Sequence, residues 1–227
     1  MTLTLYIHPL ASFCHKVLIA LYENGTAFET KIVDFADPGS AAALFEQWPV
    51  GKIPVLHDSA RNQTVPETSI IIDYLQRHYA GPVRLLPADS DALLQVRLWD
   101  RFFDLYVSVP MQKIVTDRIR PAGAGDAHGV AEARATLDLA YGMIERQLAG
   151  RTWATGDSFT MADCSALPAL FFAAIVQPFA GEQTALAAYL ERLLARPSVA
   201  RVIAEAQPFF GMFPYHEAMP ARYRQDR

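Results

Sequence analysis

The chain has 227 residues, 52% of them apolar and 19% charged, and a net charge of -4. That composition supports a sizeable buried core, and with no basic block it gives no footprint for a nucleic-acid partner. No run approaches the roughly 18 uninterrupted apolar residues that a membrane-spanning helix needs, so neither nucleic acid nor membrane is an expected partner.

Residues 2–7 alternate, with Leu3, Leu5 and Ile7 on one face and Thr4 and Tyr6 on the other, the period of a strand. Pro9 ends it, and Ser12 precedes Val17, Leu18, Ala20 and Leu21 at helical spacing, which makes Ser12 a candidate helix N-cap, with Ala11 or Leu10 as the alternative start. Gly25 stops that helix, and residues 28–33 read as a second strand. Strand, helix, strand within about thirty residues is the parallel crossover unit. A short helix is predicted over 40–47. The apolar run 53–56, a polar turn over 58–63 and Val65 predict a hairpin, and 67–79 is again helical, with Ile71, Tyr74 and Leu75 on one stripe.

Ala80-Gly81-Pro82 through Pro87 has the composition of a linker, and everything after it has helical periodicity. Helices are predicted over 91–116, with a bend at Pro110, and over 130–148, 160–176, 185–194 and 199–206. The order βαβ, α, ββα and then helices alone predicts two units of different architecture: residues 1–80, a linker at 81–90, and an all-helical domain at 91–227. Cys14 and Cys164 are far apart in the chain, which fits a reducing, cytoplasmic setting. The six histidines show no zinc-like spacing, so no metal is expected.

Four segments occur in a telling order: Y-I-H-P-L-A-S-F-C-H-K-V (6–17), V-G-K-I-P-V-L (50–56), P-E-T-S-I-I-I-D-Y-L (66–75) and G-D-S-F-T-M-A-D-C (156–164). Pro54 sits inside an apolar strand run, where a trans proline would break the ladder, so a cis Ile53–Pro54 bond is expected. Glu67-Thr68 opens a helix, whose free N–H groups and positive field suit a carboxylate. Thr160 and Asp163 form a T-x-x-D capping arrangement, with Phe159 ahead of the helix as a staple. Together these segments resemble the cytosolic glutathione transferases, of the bacterial, serine/cysteine-site lineage, almost end to end.

That resemblance implies a thioredoxin-like domain (α+β) that binds glutathione, followed by an all-α helical bundle, in a homodimer that detoxifies hydrophobic electrophiles by conjugating them to the glutathione thiolate. It implies that Lys52 meets the glycyl carboxylate, that Ile53, turned by Pro54, pairs with the glutathione backbone, and that Glu67 and Thr68 hold the γ-glutamyl end. Glutathione enters as a substrate, without a metal.

The family's catalytic serine or cysteine falls at Ala11, which has no group to donate. The neighbouring Ser12 is the first candidate to take over, followed by Cys14 and Tyr6. The second substrate is expected between the domains, against Phe103, Tyr106 and Met111, and Asp100 or Asp104 is expected to reach a partner subunit's glutathione. Three rivals remain: a thiol–disulfide reductase using Cys14; a non-catalytic binding or regulatory protein on the same fold, for which Ala11 is the clue; and an isomerase of a small unsaturated diacid with glutathione as its cofactor, which calls for basic residues in the cleft that the sequence does not place.

Overall fold

The structure, a computed structural model, describes residues 2–224; position 1 and positions 225–227, the outer ends of the two expected domains, lie outside the described residues. The chain divides into two compact units, Met1–Leu86 and Pro87–Arg227.

The first unit runs β1 (Leu3–Ile7), α1 (Ser12–Glu23), β2 (Glu29–Ile32), α2 (Pro38–Gln47), β3 (Val55–Asp58), β4 (Gln63–Pro66) and α3 (Thr68–His78). Its sheet has the order β2-β1-β3-β4. β1 is parallel to β2 and antiparallel to β3, and β3 and β4 form the antiparallel hairpin. This is the βαβ, α, ββα order that the sequence predicts, in the thioredoxin-like arrangement that the resemblance implies. Leu3, Leu5 and Ile7 are buried as the alternation requires, but Tyr6 is buried too, in a cluster with Val33, Leu44 and Val55. Both faces of β1 are therefore covered at this end.

The start of α1 falls at the alternative position, one residue before Ser12. Ala11 is the N-cap, in extended conformation, and Ser12 is the first helical residue. The chain turns one residue early because the Ala11 N–H donates to the His8 carbonyl at 2.9 Å, and the Cys14 N–H then donates to the Ala11 carbonyl at 2.9 Å. At the other end, Gly25 adopts φ +58°. The Thr26 N–H donates to the Leu21 carbonyl and the Gly25 N–H to that of Tyr22, which together satisfy the last turn by a left-handed C-terminal cap.

The second unit is helical: α4 (Ser90–Phe102), α5 (Val109–Arg118), α6 (Ala127–Gln147), α7 (Met161–Val176), α8 (Thr184–Leu194) and α9 (Pro197–Ala206), followed by 3₁₀ turns. The single helix predicted over 91–116 is interrupted by a wide π segment, Phe103–Ser108, in which the Val109 N–H reaches back to the Asp104 carbonyl. The interruption comes before Pro110, because a proline lacks the N–H and crowds the carbonyl four residues back, so the preceding turn widens.

α7 is the hub, buried along nearly its whole length. Its start is the expected capping box: the Thr160 N–H donates to Asp163 Oδ2 at 2.8 Å, with the reciprocal bond from the Asp163 N–H to the Thr160 side chain. Asp163 also accepts from the Ala154 N–H and from the Tyr189 hydroxyl, so one carboxylate ties the preceding loop and α8 to α7. Among the described residues no helix is long and apolar enough to cross a membrane.

Candidate functional site

The strand register builds the candidate site. β1 and β3 pair with Tyr6 opposite Val55, and β3 and β4 pair with Val55 opposite Pro66. The end of β1, the start of β3 and the end of β4 therefore meet at one end of the sheet. The segments that leave those three points are the β1–α1 turn with Ser12, the Ile53–Pro54 pair, and Glu67-Thr68 at the head of α3. Motifs separated by tens of residues in sequence are thus neighbours in space.

The Ile53–Pro54 bond is cis, as its place in the strand run predicts. Pro54 is buried, Ile53 is half-buried against the Tyr6 cluster, and Lys52 is exposed on the turn before them. Glu67 is the N-cap of α3 with φ +68° and ψ 120°, and its side chain does not cap the helix. A non-glycine residue held at positive φ costs about 1–3 kcal/mol, and such strain concentrates at ligand clamps. Glu67 is exposed and Thr68 is buried beside it, so the first turn of α3 presents N–H groups flanked by an acid and a hydroxyl.

The three candidates for activating a thiol have different surroundings. Cys14 has no exposed surface, and burial pushes its thiol up to about 12, against a weaker opposing hydrogen bond from the backbone at His8. It is a packing residue in the interior of α1, without thiolate at neutral pH. Tyr6 is locked in the core cluster, with the Lys31 ammonium over its ring at 5.2 Å. Ser12 sits in the first turn of α1, largely buried, next to the helix's N-terminal N–H groups.

Two residues of the segment 6–17 were assigned no role from the sequence. His8, in the β1–α1 turn, accepts the Leu10 N–H on Nδ1 at 3.2 Å. Burial lowers its pKa, with Asp34 pulling the other way, so the ring favours the neutral form. Lys16, one turn into α1, is fully buried and donates to Ser69 Oγ at 3.0 Å, joining α1 to the first turn of α3.

In the helical unit the expected substrate wall separates. Phe103 and Met111 are buried, Phe103 in an aromatic cluster with Trp99 and Phe102, so neither offers surface to a ligand. Phe103 is the first residue of the π segment. Tyr106, 52% exposed, is the one of the three with open surface. Asp100 and Asp104 are also buried, and Asp100 accepts from the Ser165 hydroxyl of α7, so it faces its own unit's core instead of a partner subunit. Among the described residues no group of three or more His, Cys, Asp and Glu is placed to hold a metal.

Comparison with known proteins bears on both units. Residues 11–78 match the glutathione S-transferase N-terminal domain and residues 102–197 the C-terminal domain. The chain is 30% identical over 162 residues to a glutathione S-transferase of Pseudomonas putida, covering 71% of this chain and 70% of that one. A glutathione S-transferase from Methylobacterium radiotolerans, solved in complex with glutathione sulfonate, superposes with a TM-score of 0.77 at 28% identity, over 88% of this chain and 93% of that one. One from Methylobacillus flagellatus with glutathione bound has a TM-score of 0.80 at 23% identity, over 88% and 98%.

Proposed function

Since this chain belongs to the glutathione S-transferase family, we propose that it binds glutathione on its first unit and transfers the thiolate to hydrophobic electrophiles, as a cytoplasmic detoxifying enzyme. The observation that carries this reading is the convergence of the β1–α1 turn, the cis Ile53–Pro54 pair and Glu67-Thr68 at one end of the sheet.

In the proposed complex the γ-glutamyl carboxylate takes the N–H groups and the Thr68 hydroxyl at the head of α3, while Glu67 meets the ammonium. Ile53 pairs with the cysteinyl backbone, and Lys52 meets the glycyl carboxylate. The sulfur then lies at the start of α1, where the N-terminal field and the Ser12 hydroxyl favour the thiolate. A free thiol has a pKa near ~8.5, and lowering it by about two units requires roughly 2.7 kcal/mol of preference for the anion. A helix terminus with one charge-assisted hydrogen bond is of that order. Tyr106 is our candidate contact for the electrophile.

The test is a conjugation assay with glutathione and an activated halonitroarene. Saturable, enzyme-dependent turnover is the expected result, and its absence from a protein that still binds glutathione would replace the enzyme with a carrier. Ala11 favours that second reading, since the family's donor position is empty of a hydroxyl or thiol. The reductase reading loses its nucleophile with the burial of Cys14.

We also propose a homodimer. Leu94, Leu98, Leu105 and Val109 form a run of exposed apolar side chains along α4 and into α5, at near-helical spacing, and a second copy of the chain is the partner that the family's habit suggests.

A further inference from the structure

Lysine is among the residues least often buried completely, because its ammonium costs several kcal/mol to take out of water. Lys16 nevertheless has no exposed surface. It stands in α1, which packs against α3, and its Nζ donates to Ser69 Oγ at 3.0 Å. Ser69 is the second residue of α3, directly after Thr68 and two after the strained Glu67. The side chain thus carries a positive charge from the interior of α1 to the back of α3's first turn, one side chain away from the N–H groups that open that helix. A methionine of similar length would be buried at no desolvation cost, so packing alone does not account for an ammonium here.

We propose that Lys16 is a positioning residue for glutathione: anchored on Ser69, it holds the head of α3 in place and adds a fixed positive charge behind the N–H groups that receive the γ-glutamyl carboxylate. The inference rests on the glutathione-binding reading above and deepens it. A helix N-terminus supplies only about half a charge, and that field fades within one turn. A buried ammonium next to it, screened little by solvent, reinforces the same sign of potential where the carboxylate docks. The effect is largest for the carboxylate, because Lys16, although it belongs to α1, ends on Ser69 in the first turn of α3, where that group docks.

The test compares two ligands on four proteins by calorimetry or competition: glutathione, and its analogue with the γ-glutamyl α-carboxylate replaced by hydrogen. Lys16→Met is expected to weaken glutathione binding about tenfold, and to change the analogue's affinity by less than about twofold. Lys16→Arg, which keeps the charge and a donor, is expected to stay within about threefold of the parent for both. Ser69→Ala, which keeps the lysine but removes its anchor, is expected to cost about threefold on glutathione only, and it decides the matter if Lys16→Met does not fold. An equal loss on both ligands would assign Lys16 to the fold alone and overturn the proposal, as would unchanged glutathione affinity in Lys16→Met or, should that variant not fold, in Ser69→Ala. A parent protein that binds no glutathione fails before any variant is compared, and that outcome overturns the glutathione reading itself.

Discussion

Ala11 has neither a hydroxyl nor a thiol, and Ser12 and Cys14, which follow it, show how local geometry sorts the two candidate substitutes. Cys14 looks reactive in sequence, one helical turn from the start of α1, but that turn points it into the core, where burial pushes the thiol up to about 12. Ser12 lies at the first helical position instead of the cap, because the chain turns at Ala11. If Ser12 donates to the sulfur, Ser12→Ala lowers turnover by about two orders of magnitude, the usual cost of one donor to a developing anion, with glutathione affinity little changed. Cys14→Ala, by contrast, leaves turnover within about twofold and lowers the unfolding midpoint, as removal of a small buried side chain does. Steady-state kinetics and thermal unfolding on both variants separate these outcomes. Full activity in Ser12→Ala would leave the backbone N–H groups of α1 as the thiolate's support.

Among elements, the motifs with a local chemical signature were legible in the sequence: the proline in a strand run, the T-x-x-D cap and the glycine after α1. The π turn was not, because Pro110 announces a disturbance without fixing on which side the backbone absorbs it, and the burial of Phe103, at the head of that turn, was missed with it. Long-range polar ties were equally invisible. Asp58 reads as an ordinary hairpin residue, yet it is fully buried and accepts from the hydroxyls of Tyr74 and Tyr79 and from the N–H groups of Ala60 and Arg61.

Burial raises the Asp58 pKa, but those four donors outweigh it and leave the carboxyl below its ordinary value. A carboxyl depressed in the folded state stabilises the protein above its unfolded pKa of about 3.9 and loses that contribution as pH falls through the folded value. Asp58→Asn is therefore expected to cost roughly 2–3 kcal/mol at pH 7 and distinctly less near pH 3, by urea denaturation at both. A pH-independent difference would contradict the assignment. Asp163→Ala, which strips the α7 cap and leaves Tyr189 without its acceptor, is expected to cost about 3 kcal/mol or more, read from the same unfolding curves.

At the scale of the whole molecule, the change from alternating strand and helix signals to helix alone was plain in the sequence. The convergence of three distant segments at one sheet end was implied only by the family resemblance and not by the residues themselves, since it follows from strand order and register. The proposed dimer also belongs to this scale. Light scattering is expected to give twice the chain mass for the parent and the single-chain mass for Leu98→Glu, which puts a charge in the exposed stripe of α4. A monomeric parent would assign that stripe to another partner.

The central claim, that this end of the sheet holds glutathione and makes its thiol acidic, is tested most directly by titrating the ultraviolet thiolate absorbance of glutathione bound to the protein. The expected midpoint lies about two pH units below the ~8.5 of a free thiol, and moves upward in Ser12→Ala. Bound glutathione that titrates like the free peptide would contradict thiolate activation, and would leave a glutathione-binding member of the family without transferase chemistry.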